Sequence, residues 1–379
     1  MRYQKPSYFD EFACIADKCP DTCCAGWQIM IDEDSLERYK NEKGAFGNRL
    51  KNSIDWQEEC FYQYDGRCAF LNDRNLCDLV TELGEEALCE TCARYPRHVE
   101  EFEDVREWSL SISCPVAAKL VLDGEKALEL TAWEDDKEDP LEEEFEDFDL
   151  FLFTKLEDAR EKILDKLKKV TPKEADAFFE EIYAFSSKLQ EGLMDNEIWK
   201  LDELIEQFGE TGKSTLARKS AMEYYQKGRD SFECLSEMEH LRADFGPEVL
   251  RVSEYLYQAG KETYEQKRQA FLEAFGEGGQ NFAEWQNFKK NLFWFFIYTY
   301  FCGAVYDDSI VTKAGMACFA VECVEELVMY HWLTDPENTK KEEWLRLAGA
   351  LAREVEHSDD NLNYLEDWIW NRWETRERT

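Results

Sequence analysis

Phe12 to Asp32 reads FACIADKCPDTCCAGWQIMID, and its four cysteines decide how the first third of the chain is read. Cys14, Cys19, Cys23 and Cys24 form a C-x4-C-x3-C-C pattern that runs straight into Gly26 and Trp27. Thiolates this close in sequence converge on one ion at small entropic cost, because short loops close cheaply. The bound centre then supplies folding energy to a region with little regular structure. Further thiols follow at Cys68-Ala-Phe-Leu, Leu76-Cys77, Cys92-x2-Tyr-Pro-Arg and Ser113-Cys114-Pro115. Ten of the fourteen cysteines lie in the first 114 residues, so the clustering needs a reason of its own.

The rest of the composition narrows that reason. With 379 residues there is room for two or three domains, and 12 Trp, 17 Tyr and 25 Phe supply a sizeable core. The formal charge is −38, from 83 acidic against 45 basic residues. Such a surface repels phosphate backbones and anionic lipid, so neither nucleic acid nor membrane is an expected partner. It attracts a lysine-presenting protein, although solubility alone also explains it. Leu292 to Phe301 (LFWFFIYTYF) spans 10 residues, against about 20 needed to cross a bilayer. It reads as a buried helix. Met1 to Phe12 carries charges and a proline where a secretory signal has an apolar run, which implies a cytoplasmic protein. Cysteines in a reducing compartment point to metal rather than to disulfides.

The expected fold class is mainly α: a small, irregular, cysteine-rich α+β metal-binding head over 1–133, an acidic linker over 134–147, and an all-α helical domain over 148–379. In the head, Asp32 or Asp34 caps a short helix through Tyr39, and 56–64 and 105–113 read as strands. Cys77 to Leu83 and Glu85 to Arg94 read as short helices split at Gly84, and another begins after Cys114 with Pro115 in its first turn. Ten of the fourteen residues from Glu134 to Asp147 are acidic, the mark of a solvated linker. Beyond it, apolar residues three and four apart predict helices over 148–170, 173–192, 197–208, 215–227, 247–275, 281–302, 313–331, 340–357 and 361–374. The aromatic stripe Phe282, Trp285, Leu292, Phe296 reads as core packing.

Thiolate-only donors suit zinc or an iron–sulfur cluster. A closed zinc site usually shows paired C-x2-C knuckles, and only Cys89 and Cys92 have that spacing. The thiols suffice for one [4Fe–4S] cluster with spares, for two small sites, or for a mixture. Cys60 and Cys89 read as buried small hydrophobes. Three patterns lead elsewhere and fail. The radical motif C-x3-C-x2-C breaks at Gly26. Gly209-Glu-Thr-Gly212-Lys213-Ser214 needs a glycine where Gln207 stands to be a phosphate loop. Gly276-x-Gly278-Gly279 lacks the spacing and βαβ setting of a dinucleotide fold.

The ordered series FACIADKCPDTCCAGWQIMID, GRCAFLND, NLCDLVTELGEEAL, CARYPR and LSISCP resembles the flagellin lysine N-methylase family over about residues 8–120. It resembles, more distantly, short cysteine-rich proteins that chelate zinc or iron. The helical remainder carries no motif of equal force. The resemblance implies a protein-lysine N-methyltransferase that uses S-adenosylmethionine, requires a [4Fe–4S] cluster and acts on flagellin or another lysine-bearing protein. It implies cluster ligands among Cys14, Cys19, Cys23, Cys24, Cys68, Cys77, Cys92 and Cys114, and cofactor-binding roles for Arg97 and Trp27. Arg97 then faces either the methionine carboxylate of the cofactor or a negatively charged cluster, or forms a structural ion pair. Zinc is the alternative metal. The alternative function is a non-catalytic metal-binding module whose helices dock a partner; electron transfer is weaker, for want of a second ferredoxin-like cysteine set.

Overall fold

The computed structural model describes residues 1–124, 128–136, 148–210 and 221–377. The expected linker lies outside the described residues from 137 onward, as do residues 211–215 of the phosphate-loop-like stretch. In chain order the described elements are β1 (Arg2–Pro6), α1 (Glu33–Asn41), α2 (Gly44–Asn52), β2 (Ile54–Asp55), β3 (Cys60–Phe61), β4 (Gln63–Tyr64), β5 (Arg67–Cys68), α3 (Asp78–Leu83), α4 (Glu90–Arg94), β6 (Arg97–Phe102), β7 (Val105–Leu110), α5 (Pro115–Leu122) and β8 (Leu130–Glu134). Helices follow: α6 (Leu150–Lys169), α7 (Ala175–Met194), α8 (Ile198–Glu210), α9 (Ala221–Glu237), α10 (Phe245–Tyr257), α11 (Lys261–Phe275), α12 (Phe282–Tyr300), α13 (Ile310–Thr334), α14 (Lys341–Glu356) and α15 (Asp359–Glu377). The molecule is mainly helical with small sheets, as the periodicity predicts.

Local chemistry sets most boundaries. Asp32 caps α1, its carboxylate accepting the Ser35 amide at 2.9 Å, and Asp149 caps α6 through Leu152 at 2.9 Å. Pro115 opens α5. The period over 247–275 suggests one helix, but Gly260, at φ +83°, splits it into α10 and α11. The expected strand over 56–64 is two short hairpins, β2–β3 and β4–β5. The main sheet has the order β6-β7-β1-β8. Its β1 pairs in parallel with β7, Arg2 opposite Val105, and antiparallel with β8, Arg2 opposite Glu134.

Buried side chains fall into two clusters. One gathers Ile29, Ile31, Leu36, Tyr39, Leu50, Phe61, Phe70 and Leu79 around Cys68 and Cys89, with Cys24, Cys77 and Cys92 packed against it. The other joins Phe102, Leu110, Ile112, Ala117 and Val121 to the helices from α6 onward. Central to it is α13, packed on α7, α12, α14 and α15. Trp285, Leu292 and Phe296 of the aromatic stripe are at most 2 % exposed. Among the described residues no helix is long and apolar enough to cross a membrane. A buried ion pair, Glu107 with Arg160, fixes β7 to α6. Close approach fixes α14: a Cβ on Gly349 would stand 2.9 Å from the Ile112 carbonyl oxygen, so glycine lets this helix lie against the segment that leads into Cys114.

Candidate active site

The double cysteine sits between two groups of thiols. Cys23 donates its S–H to Cys24; that bond draws Cys24 down to about 7 and pushes Cys23 up. Nearby Cys14 and Cys114 raise Cys23 further, and Cys114 in turn feels Cys19 and Cys14. Cys14, Cys19, Cys23 and Cys114 therefore form one group. On the other side, Cys92 donates to Cys89, raising its own pKa and lowering that of Cys89, and it feels Cys24 and Cys68. Burial lifts Cys68 to about 12, with Cys24, Cys77 and Cys89 close enough to add to the effect. The second group is thus Cys24, Cys68, Cys77, Cys92 and also Cys89, which reads in the sequence as a buried small hydrophobe.

Helix starts prepare three of these thiols. Cys77, Cys89 and Cys114 each stand immediately before a short helix, α3, α4 and α5. Burial raises Cys77 and Cys114, while the amides of Val80 and Leu79, and of Ala117 and Val116, favour their thiolates. Cys60 stands apart, its sulfur accepting from the Gln28 amide at 3.2 Å. All ten thiols are free. Soft, unoxidised donors in two groups suit an iron–sulfur cluster or zinc by their chemistry. Among the described residues, no three His, Cys, Asp or Glu side chains stand in the geometry that holds a metal ion.

The loop that carries Cys19 to Cys24 is clamped onto the helices. Arg353 and Arg242 reach Asp21 at 3.0 and 2.6 Å. Arg353, 2 % exposed, also donates to the Ser113 carbonyl at 3.2 Å. Glu354 accepts the amides of Leu241 and Arg242 at 2.8 and 3.0 Å, and burial lifts its carboxyl to about 7. That segment in turn touches the cysteine loop, because Leu241 lies against Gly26.

Beside the first thiol group opens a cleft of about 430 Å³. Its walls come from the cysteine-rich part (Trp27, Tyr95, Arg97) and from α12, α14 and the residue after α14 (Tyr300, Glu356, His357). The two residues expected to bind cofactor, Trp27 and Arg97, both line it. Trp27 is fixed by its indole N–H, which donates to the Cys23 carbonyl at 2.7 Å. It lies 4.6 Å from His357 and 5.9 Å from Tyr95, ring centre to ring centre, and Tyr95 is 5.8 Å from His357. Ser113, next to Cys114, joins this trio: its hydroxyl is 3.0 Å from the Tyr95 oxygen and 2.7 Å from His357 Nε2. Burial, and then Arg353, lower His357 to about 4, so it stays neutral.

Polar groups in the cleft are sorted by partner. Glu100 pairs with His98 at 2.7 Å and Glu366 with Lys313 at 2.5 Å. The Arg97 guanidinium lies 5.0 Å from the Phe12 ring centre and meets no carboxylate among the described residues. Among the described residues Glu356 accepts from hydroxyls alone, Ser111 at 2.5 Å and Tyr300 at 3.0 Å, and burial pushes it up to about 7. Sequence reading missed Asp21, Arg353, Glu356 and His357. One signal was present: the chain has four histidines, and His98 and His357 both face this cleft.

Comparison with known proteins now bears on these helices. The FliB lysine N-methylase C-terminal domain matches residues 163–377, the part in which no motif was legible. Flagellar biosynthetic protein FliU of Salmonella muenchen is 29% identical over 135 residues, 33% of this chain and 80% of that protein. The lysine-N-methylases of Salmonella typhimurium and Salmonella choleraesuis are each 28% identical over 136 residues, 34% of this chain. The matched part spans about a third of the length of those two enzymes, 34% of each. No solved structure matches. The match over 163–377 covers more than half of the molecule and takes in the helices that bring Tyr300 and Glu356 to the cleft. By that measure the chain belongs to the FliB lysine N-methylase family.

Proposed function

We propose that the chain is an S-adenosylmethionine-dependent protein-lysine N-methyltransferase that acts on flagellin, and that it works in the cleft beside Cys23 and Cys114. The observation that carries the reading is the junction itself. Trp27 and Arg97, the residues implied to meet the cofactor, and side chains of the family-matched helices line one space of about 430 Å³. Family membership supports the reaction class, and the relatives' names supply the flagellar link.

Within this reading the first thiol group, Cys14, Cys19, Cys23 and Cys114, would hold a [4Fe–4S] cluster next to the cleft, its loops drawing together around the bound group. Such a cluster, when bound, organises these loops and offers an iron for the amino and carboxylate groups of a methionine moiety. Arg97, free of any carboxylate among the described residues, suits the same carboxylate. Trp27 and Tyr95 present ring faces to a cationic donor or a lysine side chain, since a cation over an aromatic face is attracted by its quadrupole. The second group, Cys24, Cys68, Cys77, Cys89 and Cys92, lies in the core of the cysteine-rich part and suits a structural centre.

Mass spectrometry of flagellin, incubated with S-adenosylmethionine and anaerobically purified protein, tests the reading. The expected result is a gain of methyl mass on lysines from a brown, iron-containing protein. No gain on any lysine would remove the enzymatic reading. Colourless protein with stoichiometric zinc and no transfer would leave a metal-binding module with a helical docking surface.

A further inference from the structure

We propose that Glu356 receives the substrate lysine, binding its ammonium group in the cleft and taking its proton. This inference rests on the methyltransferase reading above and assigns the base that reading requires. A lysine ammonium, with a pKa of about 10.4, carries no lone pair with which to attack a methyl group until a proton leaves.

Neutralisation separates Glu356 from its neighbours. Of the cleft's other acids, Glu100 and Glu366 each hold a basic partner, His98 and Lys313, and Asp359 is exposed to solvent, which screens its charge. Glu356 has no ion pair among the described residues; it accepts from Ser111 of β7 and Tyr300 of α12. Two hydroxyls fix both oxygens in place yet leave the negative charge uncompensated, which is the complement of an incoming cation. His98 on β6, itself paired with Glu100, is the charged group that acts on it, Glu100 acts on its partner Tyr300, and His357, the next residue along, is neutral. The wall around it is aromatic through Trp27, Tyr95 and His357, so a lysine side chain reaches the carboxylate along rings that suit both its methylenes and its charge. Burial keeps the carboxyl near neutrality, at about 7, a value that serves a base working at physiological pH.

The step balances. The Glu356 carboxylate takes one ammonium proton and leaves the amine with its lone pair. That pair forms the N–C bond as the bond between the methyl carbon and the donor sulfur breaks, its electrons remaining on sulfur, so a sulfonium becomes a thioether. The proton then passes from Glu356 to water.

Two readouts test this. In the first, no methyl donor is present: a flagellin peptide and its copy with norleucine in place of lysine are titrated at pH 8 into iron-loaded protein. Wild type is expected to prefer the lysine peptide, and Glu356→Gln to lose that preference with its fold and iron content unchanged. In the second, methyl transfer by Glu356→Gln falls about 10²–10⁴-fold, the usual worth of a general base. Tyr300→Phe, which removes one hydroxyl that stabilises the carboxylate, keeps transfer but moves its pH midpoint upward. Glu356→Gln that keeps both lysine preference and transfer would overturn the assignment, as would a Tyr300→Phe midpoint that does not move. If wild type prefers the lysine peptide through Glu356 yet methylates nothing, the methyltransferase reading fails while the ammonium site stands.

Discussion

Gly26 turns the backbone at φ +83°, two residues after Cys24, and a Cβ there would lie 3.3 Å from the Leu241 carbonyl oxygen. Left-handed backbone costs an L-residue roughly 1–2 kcal/mol, so Gly26→Ala should lower stability by about that much in urea unfolding. Asp21 should matter more. Its loss leaves Arg353, 2 % exposed, facing only the carbonyls of Thr22 and Ser113 among the described residues. Removing one partner of a buried ion pair typically costs about 3–5 kcal/mol. Asp21 is itself 27% exposed, so Asp21→Ala should fall near the lower end, about 3 kcal/mol, by the same measurement. Some single residues were legible in advance: Asp32 as a cap and Pro115 as a helix start follow from local chemistry alone. Asp21 was not, because its partners Arg242 and Arg353 come 221 and 332 residues later.

Among elements, most helices from α6 onward were legible because their apolar spacing is strong and local; the helix expected over 215–227 lies outside the described residues as far as 220, and α9 runs on to Glu237. In the sheet, β7 was legible from the alternation over 105–113, but the assembly was not: β1 is five residues long, and its partners β7 and β8 begin more than a hundred residues further on. The period also carried across Gly260, where a single positive φ ends α10. The cleft escaped for the same reason as the sheet, since it needs β6, β7, α12 and α14 to meet. Short helices α3, α4 and α5 give the element-level test, because each starts directly after a cysteine. With the proposed cluster on the cleft-side thiols, Cys114→Ala should lower the iron content of anaerobic protein while the core around Tyr39 and Phe70 stays folded. Cys60→Ala, whose sulfur belongs to neither group, should keep full iron content. Iron analysis and circular dichroism of anaerobic protein decide both, and equal behaviour of the two variants would mean the thiols are wrongly sorted.

At the scale of the whole molecule, two features meet. A charge of −38 spreads over the surface, and one cleft joins the cysteine-rich part to the helices matched by the lysine N-methylase family. Long-range attraction between so acidic a protein and exposed lysines is screened by salt, with a Debye length of about 10 Å at 0.1 M. Association with flagellin should therefore slow as salt rises from low to physiological strength, measured by stopped-flow fluorescence. The central claim is that chemistry happens in the cleft, and methyl transfer to flagellin by an Arg97→Ala, Trp27→Ala double variant tests it most directly. With fold and iron content matched to wild type, the variant is expected to lose transfer by at least about a hundredfold, as misplaced substrates do. Wild-type transfer from that variant would contradict the account.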